Sequence, residues 1–188
     1  MTPSFQNFPA AVGPEEDVTS QLQHIRRQLQ ELKTANSELH ARLEQAQKTE
    51  LPNGNVYWGL LKAGRKEGEG MLVWASGDVY IGEWKHDCKN GEGKLVWGNG
   101  NQYLGQFRNN VREGVGEYIW DNGNRYYGEW SNNEMHGLGK HYWSDGRTYV
   151  GFWKHGQRSG FGRMHQTARG SYEAEFLNGK PIGKLTYL

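Results

Sequence analysis

The chain has 188 residues, enough for one or two domains, and its 22 Lys and Arg nearly balance 21 Asp and Glu. That balance excludes bulk-charge binding of nucleic acid or another general polyanion. No apolar run of about 18 residues offers a membrane-spanning helix. The first residues lack the basic start and apolar core of a secretory signal, and the single Cys88 suits a reducing compartment.

Residues 1–13 have no periodicity and read as a flexible tail. Gly13-Pro14-Glu15-Glu16 then marks a helix start, because Pro fits the first turn and acids complement the positive helix terminus. Residues 14–51 read as one amphipathic, coiled-coil-like helix. Its seam places Leu22, Leu29 and Leu43 at a positions and Ile25, Leu32 and Leu39 at d, with Asn36 on the remaining a position. Such strict spacing favours pairing with a second helix over packing on the chain's own domain. The flanking positions carry Arg26, Lys33, His40 and Arg42 and no acid, so an acidic partner helix suits the seam better than a second copy.

From Asn53 to Leu188 a 23-residue period takes over. Tyr57, Tyr80, Tyr103, Tyr126, Tyr149 and Tyr172 recur in phase, followed two residues on by Gly59, Gly82, Gly105, Gly128 and Gly151, then Ala174. Four residues after each Tyr come Leu61, Trp84, Phe107, Trp130, Trp153 and Phe176, and a Gly-x-Gly pair such as Gly91/Gly93 follows. Self-similarity of this kind marks an array whose units bury their apolar faces against their neighbours. Each unit reads as two short strands. The second carries Leu72/Trp74, Leu95/Trp97, Tyr118/Trp120 or His141/Trp143, and turns such as Asn99-Gly100 and Asn122-Gly123 follow. The glycines leave room for rings to lie flat across the backbone of a single-layer sheet. The expected fold is therefore an all-β repeat array, an antiparallel meander of about twelve strands, preceded by one long α-helix outside it.

The run Tyr-x-Gly-x-Trp, a turn, Gly-x-Gly and a further Asn-Gly or Asp-Gly resembles the MORN (membrane occupation and recognition nexus) repeat, over six tandem copies of which the last is degenerate. The resemblance implies a twisted ribbon of β-hairpins. It also implies scaffold and adaptor roles in cytoskeletal, ciliary or flagellar (axonemal), and membrane-junction assemblies of the cytoplasm.

No local pattern points to catalysis, a cofactor or a metal. The seven histidines form no ligand-spaced cluster and read as surface or turn residues. The Gly-x-Gly pairs lack the strand-to-helix junction of a phosphate loop. Glu83, Glu129 and Glu175 fall opposite the Tyr/Gly/Trp face and read as a solvated face. One charge pattern survives, a ladder of Lys62, Lys85, Arg108 and Lys154 five residues after Tyr and of Lys66, Lys89, Arg112 and Arg158 nine after.

The expected function is a non-enzymatic adaptor. Its partner-binding face would comprise Tyr57, Trp74, Tyr80, Trp84, Trp97, Tyr103, Phe107, Trp120, Tyr126, Trp130, Trp143, Tyr149 and Trp153, which would receive a helical or extended segment of a partner protein. The alternative is a peripheral tether whose basic ladder binds anionic phospholipid. A further expectation lays the helix along the ribbon, over the aromatic face. Its roughly 54 Å length is close to the roughly 58 Å that twelve strands span.

Overall fold

A computed structural model describes residues 14–168 and 170–188, and the tail expected over residues 1–13 lies outside them. One helix, α1 (Pro14–Leu43), precedes thirteen strands: β1 (Lys48–Glu50), β2 (Val56–Lys62), β3 (Arg65–Val73), β4 (Val79–Lys85), β5 (Cys88–Val96), β6 (Gln102–Arg108), β7 (Val111–Ile119), β8 (Arg125–Ser131), β9 (Glu134–Tyr142), β10 (Thr148–Lys154), β11 (Gln157–Gln166), β12 (Gly170–Leu177) and β13 (Lys180–Tyr187). Each strand pairs antiparallel with the next, giving one open sheet in chain order.

The helix is shorter than expected, and the array starts earlier. Residues 44–47 close α1 with tight turns, the amides of Gln45 and Ala46 donating to the carbonyls of Arg42 and Leu43. Lys48–Glu50 then pair with Val56–Trp58. No Gly or Pro stops the helix here, so ladder hydrogen bonds to β2 override local propensity. The phase of the repeat carries the reason. Leu51 lies 23 residues before Trp74, and the Leu51 amide donates to the Asn55 carbonyl as Trp74 does to Asp78. β1 is thus the second half of an incomplete first unit.

Tight hairpins fall at the other end of each unit from the Asn-Gly pairs. His86-Asp87, Asn109-Asn110 and Asn132-Asn133 form the two-residue turns, with both residues at positive φ, for example 49° and 69° at Asn109 and Asn110. This is the primed geometry that matches strand twist. The Asn-Gly and Ser-Gly pairs lie in longer loops, where Gly77 and Gly100 donate back to Trp74 and Trp97. Asx side chains tie neighbouring units. Asn55, Asp78, Asn101 and Asn124, again 23 apart, accept from the backbone of Ala75, Gly98, Asp121 and Ser144 at 2.8–3.0 Å.

α1 lies across one face of the sheet, touching β3 through β9. Leu22, Ile25 and Leu29 pack with Tyr127 and Leu138, whereas Leu39 and Leu43 pack with Met71 and Ile81. Leu32 is buried as well. Strand parity puts Ile81 and Tyr127 opposite Tyr80 and Tyr126, so the helix covers the face away from the tyrosines. Placement over the aromatic face is thereby overturned, and so is an outward-facing helix whose seam awaits a second one. The physical reason lies one residue past each Tyr. Trp58, Ile81, Leu104, Tyr127 and Val150 recur every 23 residues and make a second apolar face that needs cover.

The middle of this interface is polar. Buried Asn36 donates from Nδ2 to the Ile81 carbonyl at 2.9 Å. Buried Glu117 is held between Lys33 Nζ at 2.6 Å and Arg125 Nε at 2.5 Å. Arg42 pairs with Glu69. The sheet itself thus supplies acids to two of the basic flanking positions. A cavity of about 500 Å³ lies between Asn36, His40 and the strand residues Ile81, Leu104 and Ile119.

Candidate partner-binding face

Three rows of side chains build the face that α1 leaves free. The first is core. Tyr57, Tyr80, Tyr103, Tyr126 and Tyr149 are fully buried in single-layer sheet, because each ring lies across a glycine pair. A Cβ on Gly93 would stand 2.5 Å from Tyr80 Oη, and one on Gly116 would stand 2.3 Å from Tyr103 Oη. The hydroxyls donate to the carbonyl three residues on, Tyr80 to Glu83 at 2.9 Å and Tyr103 to Gln106 at 3.1 Å. Burial pushes the Tyr57 hydroxyl up to about 12 and raises Tyr80, Tyr103 and Tyr149 too. These groups therefore stay protonated donors.

Trp84, Phe107, Trp130 and Trp153 are buried with them and meet the tyrosines edge to face. The Tyr80–Trp84 centroids lie 4.9 Å apart at 86°, and those of Tyr103 and Trp130 5.3 Å apart at 85°. Such pairs contribute about 0.5–1.5 kcal/mol beyond burial. The Trp84 and Trp130 indoles donate to the Gly70 and Gly116 carbonyls, both at 3.1 Å.

The second row is cationic. Lys66 stands over Trp84, Lys89 over Trp74 and Tyr80, Arg112 over Trp130 at 4.7 Å, and Arg158 over Phe176 at 5.2 Å. Lys66 is neutralised by Asp87 at 2.6 Å. Arg112 and Arg158 reach carbonyls of the next unit's turn, Asn133 and Gly179. Partial desolvation lowers the pKa of Lys89 and Arg112. These four residues belong to the aromatic face. The other half of the expected ladder, Lys62, Lys85, Arg108 and Lys154, is separate from them and exposed.

The third row is half-buried Trp74, Trp97, Trp120 and Trp143, at the starts of the loops that follow β3, β5, β7 and β9. From Trp97 onward it is continuous. Trp97–Tyr118, Tyr118–Trp120, Trp120–His141 and His141–Trp143 centroids lie 5.4, 4.5, 5.2 and 4.2 Å apart.

The expected aromatic face therefore divides. The tyrosines and the Trp84 series are core, and only the Trp74 series retains surface. His141 corrects the reading of all histidines as surface residues. It is buried, its Nδ1 has no hydrogen-bond partner among the described residues, and burial plus the Arg158 charge depress its pKa to about 4. Its phase, shared with Tyr118 and Leu95, was the available signal. Glu83 and Glu129 also have a role that a solvated face misses. Their Oε1 atoms accept from the Glu92 and Leu138 amides where the ladder bulges beside Gly91 and Gly137. Gly91, at φ +58°, makes that bulge, a conformation glycine adopts freely. Among the described residues no group of three His, Cys, Asp or Glu is placed to hold a metal ion, and no helix is long and apolar enough to cross a membrane.

Five consecutive MORN-repeat matches, at residues 59–79, 80–102, 103–125, 126–146 and 149–167, cover more than half of the chain. The chain belongs to the MORN-repeat family. No curated protein matches it. Among solved structures it is similar to the TCP10c domain of Drosophila melanogaster Sas-4, at 11% identity over 70% of this chain and 73% of that one, with a TM-score of 0.30. It is also similar to the Drosophila melanogaster SAS-4 (dCPAP) TCP domain solved with a proline-rich motif of Ana2 (dSTIL), at 12% identity over 69% and 89%, TM-score 0.33. The TCP10 domain of Danio rerio CPAP stands at 14% identity over 69% and 83%, TM-score 0.26.

Proposed function

We propose that this MORN-repeat protein is a non-enzymatic scaffold or adaptor that binds a partner protein through the face opposite α1. The observation that carries the reading is the half-buried tryptophan row with cations seated among its rings. Large rigid rings with a polar edge are the side chains that dominate protein contacts. These tryptophans pack against the buried core, so little ordering is needed on binding. The MORN resemblance favours a cytoskeletal, ciliary or membrane-junction assembly of the cytoplasm as the setting. Affinity capture with the full-length chain, compared with its Trp97→Ala/Trp120→Ala variant, tests the reading. Partners retained by the wild type and lost by a still-folded variant support it; an unchanged set contradicts it.

A second reading, a tether to anionic lipid, rests on exposed Lys62, Lys85, Arg108 and Lys154. It requires sedimentation with acidic vesicles that falls steeply with added salt and is lost when these four residues are changed to Glu.

A further inference from the structure

The tryptophan row has a pitch, and the pitch selects a ligand. Trp97, Trp120 and Trp143 occupy equivalent positions two strands apart, which sets them about 9.6 Å from one another. A polyproline II helix repeats every three residues at about 9.3 Å, and every third side chain returns to the same face. The mismatch is only a few tenths of an ångström per repeat. An extended β-segment covers a similar distance in three residues, but its side chains alternate, so consecutive matches would point to opposite sides. An α-helix needs about 10.5 Å for seven residues, so it slips by almost 1 Å at each repeat.

Two further observations agree. Among the described residues the indole N–H groups of Trp97, Trp120 and Trp143 have no protein acceptor, unlike those of Trp84 and Trp130. A polyproline II backbone carries carbonyls with no internal hydrogen bond, which are the acceptors such donors need. Arg112 stands over Tyr118 within the row, Arg158 sits past its Trp143 end over Tyr149 and close enough for its charge to act on His141, and neither has a carboxylate partner among the described residues. A ligand with acidic side chains between its prolines would meet both.

We propose that the row from Trp97 to Trp143 receives an acidic, proline-rich segment in the polyproline II conformation, one turn of the ligand to each repeat. The proposal rests on the adaptor reading above and names the class of its partner. Pitch and charge of this chain select the class. An anionic but flexible chain would satisfy Arg112 and Arg158 and would pay more ordering entropy.

The test titrates the full chain with labelled peptides of equal length: four Pro-Pro-Glu triplets, four Gly-Ser-Glu triplets, four Pro-Pro-Lys triplets, and an acidic amphipathic helix. The Pro-Pro-Glu peptide is expected to bind at least about tenfold more tightly than the others, with Trp120→Ala weakening it about tenfold and Gln30→Ala, on the exposed side of α1, leaving it unchanged. Trp97→Ala replaces Trp120→Ala if the latter fails to fold by circular dichroism. Equal affinity for the Pro-Pro-Glu and Gly-Ser-Glu peptides, tighter binding of the helix, or no binding of the Pro-Pro-Glu peptide overturns the proposal. If the Gly-Ser-Glu or helical peptide binds and Trp120→Ala abolishes it, the partner-binding face stands and only the polyproline assignment fails. If binding survives in both tryptophan variants, the face itself is wrong.

Discussion

A methyl group on Gly116 would meet Tyr103 Oη at 2.3 Å, and the ring has no space to retreat because Phe107 and Trp130 close on it from both sides. Gly116→Ala should therefore cost about 3 kcal/mol, as overpacking of a core does. Gly64 lies in a hairpin turn at φ +75° with nothing near its would-be Cβ. Gly64→Ala should cost only about 1 kcal/mol of backbone strain. Denaturant midpoints at unchanged slope would compare the two, and equal costs would contradict the account of ring-over-glycine packing. His141 sets a pH dependence. Its pKa falls from the ordinary 6.5 to about 4 in the folded chain, so below pH about 6.5 the unfolded chain binds more protons. Stability should then decline as pH falls to about 4, by up to roughly 1.4 kcal/mol per unit, and level off below. His141→Tyr, which copies Tyr118 of the preceding unit, should remove that component from thermal or denaturant unfolding curves. The pairing of rings with glycines was legible from phase, but the burial of the tyrosines and the Trp84 series was not. Nor was the burial of His141, whose polarity points to the surface while its phase, shared with Leu95 and Tyr118, points to the core.

At the scale of elements, the helix was legible and its docking was not. A seam of Leu and Ile every three to four residues looks the same whether it meets a second helix or a sheet. What decides is the surface on offer, and Ile81, Leu104 and Tyr127 offer one within the chain. Asn36 is read as a register device in coiled coils, and here it serves register against β4 by binding the Ile81 carbonyl. Asn36→Ala should cost about 1 kcal/mol, the net contribution of one buried hydrogen bond. Leu29→Asp with Leu39→Asp should free α1 altogether. Amide exchange in α1 should then accelerate while the amides of β4 to β9 stay protected. Uniform loss of protection would show instead that sheet and helix fold as one unit. β1 was hidden for a different reason. Three residues carry no periodic pattern of their own, and only Leu51, in phase with Trp74, marks them as part of the array.

For the whole molecule, the two faces of one sheet are given different work. One is closed by α1 through leucines, an asparagine and the Lys33–Glu117–Arg125 cluster. The other closes itself with tyrosines and keeps a row of tryptophans at the surface. The repeat fold could be read from the sequence because every unit repeats the same solution. Which aromatics were core and which were surface could not, since parity assigns both tryptophan series to one face and only their places along the strand differ. In the proposed adaptor, partners engage the tryptophan row while the helix stays docked. Hydrogen exchange of the full chain, alone and with a partner it retains, tests this most directly. We predict new protection around Trp97 to Trp143 with α1 unchanged. Protection confined to α1, or loss of α1 protection on binding, would contradict the account.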